Sequence, residues 1–313
     1  MSYSGLLLIF CLMSGPARVL PSGQELISLE ALLSKYSLKK QSLTEESVSF
    51  SSKIAKVTFN YESRQIHFNN MLIWMSQSPV KKRNKWYLNS TDVKTVIKPL
   101  LTPSLYLPTI KRATVVIDPG HGGRSQGAIG SKKQPEKRLV LDISRRVQTK
   151  LNEKNVKTIL TRETDKALTL AERPAIAAKA KADIFVSIHL NYAANKHASG
   201  IETFIMTPPG MSSSSDSKPE GKTYKGNKHD NINIILAYMI QQGSLNNTSA
   251  ADRGIKHARF AVLRDSPCPA VLIECGFLSN GLEESKLVNA SYREKVASGI
   301  AEGILEYIKL CSN

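Results

Sequence analysis

Four side chains of this 313-residue chain have the types and settings for hydrolytic chemistry: His121, Glu136, His189 and Glu274. His121 follows Val115-Val116-Ile117-Asp118-Pro119-Gly120 and precedes Gly122-Gly123. An apolar, β-branched run that stops at Asp-Pro-Gly reads as a buried strand breaking into a sharp turn. The flanking glycines let backbone come close to whatever the imidazole holds. Glu136 opens a helical pattern, and His189 ends the apolar run that starts at Ile184. His, Glu and His make a ligand set suited to hydrolytic zinc, which acidifies bound water to a pKa of about 7 and polarises a carbonyl. Glu274 closes the run Val271-Leu272-Ile273, where an unpaired carboxylate is costly. Left unligated, it suits a base that takes a proton from water and passes it to a leaving nitrogen. Singly, each residue has a plain structural explanation: a turn histidine, a buried strand-end histidine, a helix-start carboxylate favoured by the dipole. The set of four is far more specific than any member.

Positioning these groups requires a sheet with helices. Residues 113–313 alternate strand and helix patterns, with strands expected at 114–118, 156–161, 183–190, 201–206, 260–264 and 270–275. Helices are expected at 136–153, 169–181, 231–243 and 291–309. Leu139, Ile143, Val147 and Leu151 form one apolar stripe, and Val296, Ile300, Ile304 and Ile308 another. The pattern predicts an α/β fold: a central, mostly parallel or mixed sheet with helices on both faces. Ligands in such folds collect at the carboxyl ends of strands, where His121, His189 and Glu274 fall. From Thr207 to Lys228 the pattern lapses into Pro, Gly, Ser and Lys, an exposed insertion or a lid rimming the site.

Ahead of this unit, residues 24–98 predict a small α+β module. A helix is expected around Leu29–Tyr36, a hairpin over Val57–Tyr61 and Gln65–Phe68, strands at Met71–Met75 and Trp86–Leu88, and a short helix through Leu100. That order resembles the small amine-oxidase-like N-terminal modules of secreted bacterial wall proteins. Prolines 99, 103 and 108 mark residues 99–112 as an extended linker. Residues 1–22 read as a secretory signal, with a short apolar core at 5–14 but no Lys or Arg before it. Cysteines stand only at 11, 268, 275 and 311, too few for a disulfide framework, and Cys268 and Cys275 read as buried thiols. A formal net charge of +17 calls for an anionic partner or surface. Nucleic acid has only that charge in its favour, because the chain is 6% aromatic and carries no recognisable module. No segment of the mature chain is long and apolar enough to span a bilayer.

Residues 114–309 resemble the zinc-dependent N-acetylmuramoyl-L-alanine amidases (type 3) of bacterial cell-wall turnover. The likeness runs through 116–123, Glu136-Lys137, Thr161-Arg162, Leu170-Ala171-Glu172-Arg173, 182–191, Gly200-Ile201-Glu202-Thr203, 252–256 and 274–280, in order. It implies that His121, Glu136 and His189 carry Zn²⁺ and that Glu274 is the catalytic acid/base. The implied reaction cuts the amide between N-acetylmuramic acid and the L-alanine of the stem peptide. The implied setting is exported, periplasmic or wall-associated, with peptidoglycan or muropeptide as substrate and cell-division or wall-remodelling proteins as partners. The basic surface would hold the protein near the anionic wall. Leu190 and Tyr192 stand where the family usually has smaller residues, and Cys275 where it has a small or β-branched one. Some members carry a self-inhibiting helix between the second histidine and the base. Residues 207–229 are polar and lack an apolar helical stripe, so no such plug and no need for an activator are expected. Two other readings stay open at this point. Ser37-x-x-Lys40 and Ser215-x-x-Lys218 fit the tetrad of a serine acyl-enzyme of the penicillin-binding type, although Lys-Thr-Gly is absent. A non-catalytic peptidoglycan-binding protein would keep the fold without the chemistry.

Overall fold

The computed structural model describes residues 25–214 and 218–312. The expected signal segment, Cys11 and the serine of the second Ser-x-x-Lys tetrad therefore lie outside the described residues. In chain order, the N-terminal part has β1 (Leu26–Ser28), α1 (Leu29–Ser34), β2 (Lys39–Leu43), β3 (Ser47–Ser51), β4 (Lys56–Asn60), β5 (Gln65–Phe68), β6 (Met71–Trp74), β7 (Val80–Lys82) and β8 (Lys85–Asn89). A helical stretch follows: α2 (Ser90–Asp92), a π-turn over Val93–Ile97, and α3 (Lys98–Leu101). Ser28 caps α1 by accepting from the Ala31 N–H, and Leu29, Leu32 and Leu33 turn inward, as the helical spacing requires. The serine and lysine content of β2 and β3 hid both strands from the periodicity; β2 is an edge strand exposed along its whole length.

The second part comprises β9 (Thr114–Pro119), α4 (Glu136–Glu153), β10 (Lys157–Leu160), α5 (Glu172–Ala180), β11 (Ile184–Asn191), β12 (Ile201–Met206), α6 (Asp230–Thr248), β13 (Asp252–Ala258), α7 (Ala261–Arg264), β14 (Ala270–Phe277), α8 (Gly281–Val288) and α9 (Ala290–Cys311). Its strands order as β10-β9-β11-β14-β12-β13. The first four run parallel, whereas β12 is antiparallel to β14 and parallel to β13. Consecutive strand side chains point to opposite faces, and both faces are covered. Val115 and Ile117 join the core under α4, α6 and α9, while Val116 joins Phe185, Ala177 of α5 and Val262 and Leu263 of α7. This is the mixed α/β sheet that the alternation predicts.

One expected strand is wrong. Residues 260–264 form the short helix α7 and its cap, and the strand lies earlier, at Asp252–Ala258. Its sequence, Asp-Arg-Gly-Ile-Lys-His-Ala, looks like a surface segment, yet Lys256 and His257 are buried because each has a polar partner.

The antiparallel orientation of β12 argues for the insertion and against the lid as the reading of the stretch that follows it. Glu202 pairs with Glu274, and Phe204 with Leu272, so β12 leaves the sheet at the end where β14 begins. The described residues 207–214 and 218–229 therefore follow β12 out of the sheet opposite the carboxyl ends of β9, β11 and β14. They are held there: the Ser214 N–H donates to the His257 carbonyl (2.7 Å) and Asn227 Nδ2 to the Thr207 carbonyl (2.9 Å). Among the described residues of this segment the only helical turn is a 3₁₀ turn at Lys225–His229.

The N-terminal strands continue the same sheet. β6 pairs in parallel with β13 through Ile73 and Ile255, extending the order through β6-β5-β4-β3-β2 to eleven strands. Asp252 Oδ2 accepts from the Leu72 N–H (2.7 Å), and Trp74 Nε1 donates to the Arg253 carbonyl (3.1 Å). The proline-rich stretch is likewise docked rather than free. Ile110 is buried, and its N–H donates to the Cys311 carbonyl at the end of α9 (3.0 Å). Cys268, Cys275 and Cys311 are free, buried thiols.

His257 makes this joint sensitive to pH. It is fully buried, with Nδ1 3.2 Å from the Trp74 carbonyl and Nε2 without a partner. Burial, reinforced by the Arg64 charge, pushes its pKa down to about 4, whereas the Trp74 carbonyl opposes the shift. The folded state thus holds the imidazole neutral, while the unfolded chain takes up a proton near pH 6.5. The stability this provides is present above pH 6.5 and is lost as pH falls from 6.5 towards 4, on the order of 3 kcal/mol in all. Thermal unfolding followed by circular dichroism between pH 7 and 4 should therefore show a shallower acid slope for His257→Asn than for the wild type. Equal slopes would show that the joint does not refuse the proton.

Candidate metal centre

β9 is buried along its apolar length and ends against two buried arginines. Asp118 accepts from Thr161 Oγ1 (2.6 Å), Ser187 Oγ (2.7 Å) and Arg173 Nη1 (2.8 Å). Arg173 also donates to the carbonyls of Pro119 (2.9 Å) and His121 (2.7 Å). Arg162 donates to the carbonyls of Pro119 (3.0 Å), Gly120 (2.7 Å) and Lys137 (2.8 Å). Three consecutive carbonyls at the strand end and just past it, at 119, 120 and 121, are thus satisfied by guanidinium groups instead of by a neighbouring strand. That grip holds His121 in a left-handed conformation (φ 60°), which a non-glycine residue adopts only when its surroundings impose it.

Glu136 is the first residue of α4 and is buried. Its Oε1 accepts from the Leu190 N–H (3.0 Å) and faces His189 Nδ1 (2.9 Å); its Oε2 accepts from the Ala128 N–H (2.8 Å) and faces His121 Nε2 (3.1 Å). Burial alone would raise its pKa, but the hydrogen bonds and charge of the two imidazoles outweigh that and hold it well below the usual carboxylate range. The helix N-terminus acts in the same direction. His189 lies on β11, and its ring centroid is 5.0 Å from that of His121. One nitrogen from each imidazole and one oxygen from Glu136 lie within 4.8 Å of one another. His121 Nδ1 is 2.9 Å from Ser125 Oγ, which leaves Nε2 to face the cluster.

Two imidazoles and one carboxylate, fixed by the backbone and converging from three elements, fit the donor set of a hydrolytic zinc site. Small residues make room for the cluster. A Cβ at Gly127 would lie 2.5 Å from Glu136 Oε2 and 2.7 Å from the His121 ring, so the turn must carry glycine there.

Glu274 stands beside this cluster. It is the register partner of His189 on β11 and of Glu202 on β12. Directly paired residues share a sheet face, so the three side chains form a row across neighbouring strands. The Glu274 Oε2 is buried and has no hydrogen-bond partner. Burial, with Glu136 and Glu202 adding repulsion, pushes its pKa well above the usual carboxylate range, and Lys256 opposes the shift. Glu202, by contrast, is fully engaged: it accepts from Asn191 Nδ2 (2.8 Å), Arg253 Nε (2.9 Å) and Lys256 Nζ (2.5 Å).

The family model described as N-acetylmuramoyl-L-alanine amidase matches residues 115–306. The chain belongs to that family. The amidase LytC of Bacillus subtilis strain 168 is 37% identical over 196 residues, covering 63% of this chain and 36% of its own length. The amidase AmiA of Escherichia coli K12 is 31% identical over 226 residues, covering 64% of this chain and 78% of its own. Among solved structures, an amidase of this family from Clostridium difficile 630 aligns with a TM-score of 0.55 at 35% identity, over 64% of this chain and 98% of that one. The match spans only about a third of LytC, and the family model begins after the N-terminal strands.

The residues expected to form a site thus converge: His121, Glu136 and His189 meet, with Glu274 adjacent in register. Reading the sequence did not single out Asp118, Arg162 and Arg173, or Glu202, Arg253 and Lys256, although all lie in the segments that carry the family likeness. Asp118 and Glu202 had a usable signal, since each is a charge at the edge of an apolar run and so demands a buried partner. The Ser37-x-x-Lys40 tetrad has no such setting. Ser37 lies in an exposed turn, and Lys40 lies on the edge strand β2, ion-paired to Glu30.

Proposed function

We propose that this amidase-family chain is a zinc-dependent N-acetylmuramoyl-L-alanine amidase, hydrolysing the amide between N-acetylmuramic acid and the L-alanine of peptidoglycan stem peptides. The observation that carries this reading is the meeting of His121, Glu136 and His189 beside the partnerless Glu274 carboxylate. His121, Glu136 and His189 would hold the metal. A zinc ion there supplies Lewis-acid activation of water and of the scissile carbonyl. Glu274 takes a proton from the attacking water and delivers it to the alanine nitrogen as the C–N bond breaks, giving a lactyl carboxylate and a free amine. The Arg162 and Arg173 contacts keep His121 in place while this happens. The described residues 207–214 and 218–229 follow β12 out of the opposite end of the sheet, which supports the expectation of activity without an activator.

Export and a periplasmic or wall-associated setting accord with the relatives. No helix among the described residues is long and apolar enough to cross a membrane. The deciding test is mass analysis of muropeptides digested with wild-type, chelator-treated and zinc-restored protein. Each cleavage should add one water and free the alanine amine, vanish with chelator and return with zinc. Cleavage that ignores the chelator, or that falls within the glycan or between amino acids, would overturn the assignment.

A further inference from the structure

A groove of about 480 Å³ opens beside the ligand cluster, lined by Ile129, Ser131, Tyr192, Lys196, Leu278 and Glu284 among others. Several of its lining residues are chain neighbours of residues that contact the centre. Ile129 follows Ala128, whose N–H binds Glu136. Tyr192 follows the last residue of β11, three positions beyond His189, and the Leu278 N–H donates to the Asn191 carbonyl (2.8 Å). The floor is rigid. Glu284 is fully buried and accepts from the Ser131 N–H (3.0 Å), Ser131 Oγ (2.5 Å) and the Lys132 N–H (2.7 Å). Its charge is therefore spent on the loop and is not offered to the groove. The groove's cation is placed differently. Lys196 Nζ donates to Tyr192 Oη (2.8 Å) and lies 4.3 Å from the centroid of that ring, and among the described residues no carboxylate pairs with it.

We propose that this groove receives the stem-peptide side of the substrate and that Lys196 pairs with a free carboxylate on the residue after L-alanine. The proposal rests on the amidase reading. In that substrate the lactyl carboxyl of muramic acid is consumed by the amide, so the sugar side is neutral there and the charge lies on the peptide. A lysine without a carboxylate partner therefore discriminates for peptide over sugar. Ile129 and Leu278 supply apolar contact for the peptide stem. The second residue lies within about 7 Å of the cleaved amide, two extended residues away, which keeps it inside a groove that starts next to the cluster.

The test uses zinc-loaded, full-length protein and two muramoyl tripeptides. They are identical except that the α-carboxylate of the second residue is free in one and a primary amide in the other. The wild type should favour the free acid by about fivefold in kcat/KM, mainly through KM, as a part-exposed ion pair would give. Lys196→Gln should bring that ratio to about one, and Lys196→Arg should keep it. A wild-type ratio of one, or an unchanged ratio in Lys196→Gln, overturns the role of Lys196 while leaving the amidase reading intact. Hydrolysis of neither tripeptide by the wild type overturns the amidase reading itself, and the assignment with it.

Discussion

Glu274→Gln lowers kcat on muropeptides by about a thousandfold, within the range for loss of a general acid–base group, while the protein still binds one zinc per chain. The substitution keeps size and shape, and Oε2 has no hydrogen bond to lose, so β14 should fold unchanged. What disappears is the capacity to accept a proton. The setting of the carboxylate suits that task. Burial and the neighbouring charges of Glu136 and Glu202 raise its affinity for a proton, and Lys256 on the far side of Glu202 tempers the effect. The three metal-cluster residues are untouched, which separates this variant from any that empties the site. Parallel measurement of turnover and of zinc by atomic absorption decides the matter. A loss below tenfold with zinc retained would mean that the proton travels by another group.

His121, His189 and Glu274 were legible because each stands at or just past the end of an apolar run, where a polar side chain at the mouth of a buried strand is hard to explain otherwise, and Glu136 because it opens a helical pattern. Their supporting contacts were not legible from local pattern. Arg253 and Lys256 look like surface charges until β12 and β13 are brought together, when both pair with Glu202. The same camouflage moved the expected strand from 252–258 to 260–264. The antiparallel turn of β12 was also invisible, because strand direction follows from long-range pairing and not from periodicity. That one reversal carries the described residues after β12 away from the site. The fusion of the N-terminal strands onto β13 hangs on a similarly distant pair, Ile73 with Ile255.

Gly120→Ala should abolish tight zinc binding and with it all measurable hydrolysis, although glycine contributes no ligand. Gly120 has no left-handed backbone that forbids alanine; the obstacle is space. A Cβ there would lie 2.3 Å from Cε1, 2.5 Å from Nε2 and 2.7 Å from Nδ1 of His189. Such separations are far inside van der Waals contact, so one partner must move. The backbone at residue 120 cannot, because its N–H is bonded to the Ile188 carbonyl (3.0 Å) and its carbonyl to Arg162 (2.7 Å). The imidazole can turn about its own side-chain bonds. It would swing away, giving up Glu136 Oε1 at 2.9 Å and its place among the donors, and leaving two ligands where three are needed. Since only the end of a side chain is displaced, far-ultraviolet circular dichroism should match the wild type, whereas zinc titration should show affinity weakened by at least a hundredfold. Gly122 supplies the contrast. Its φ is 121°, and a Cβ there would lie 2.2 Å from the Lys166 backbone carbonyl, so alanine at that position damages the turn itself. If Gly120→Ala kept full zinc affinity, the space around His189 would be looser than these contacts allow, and the close approach of β9 to β11 would not be what aims the imidazole.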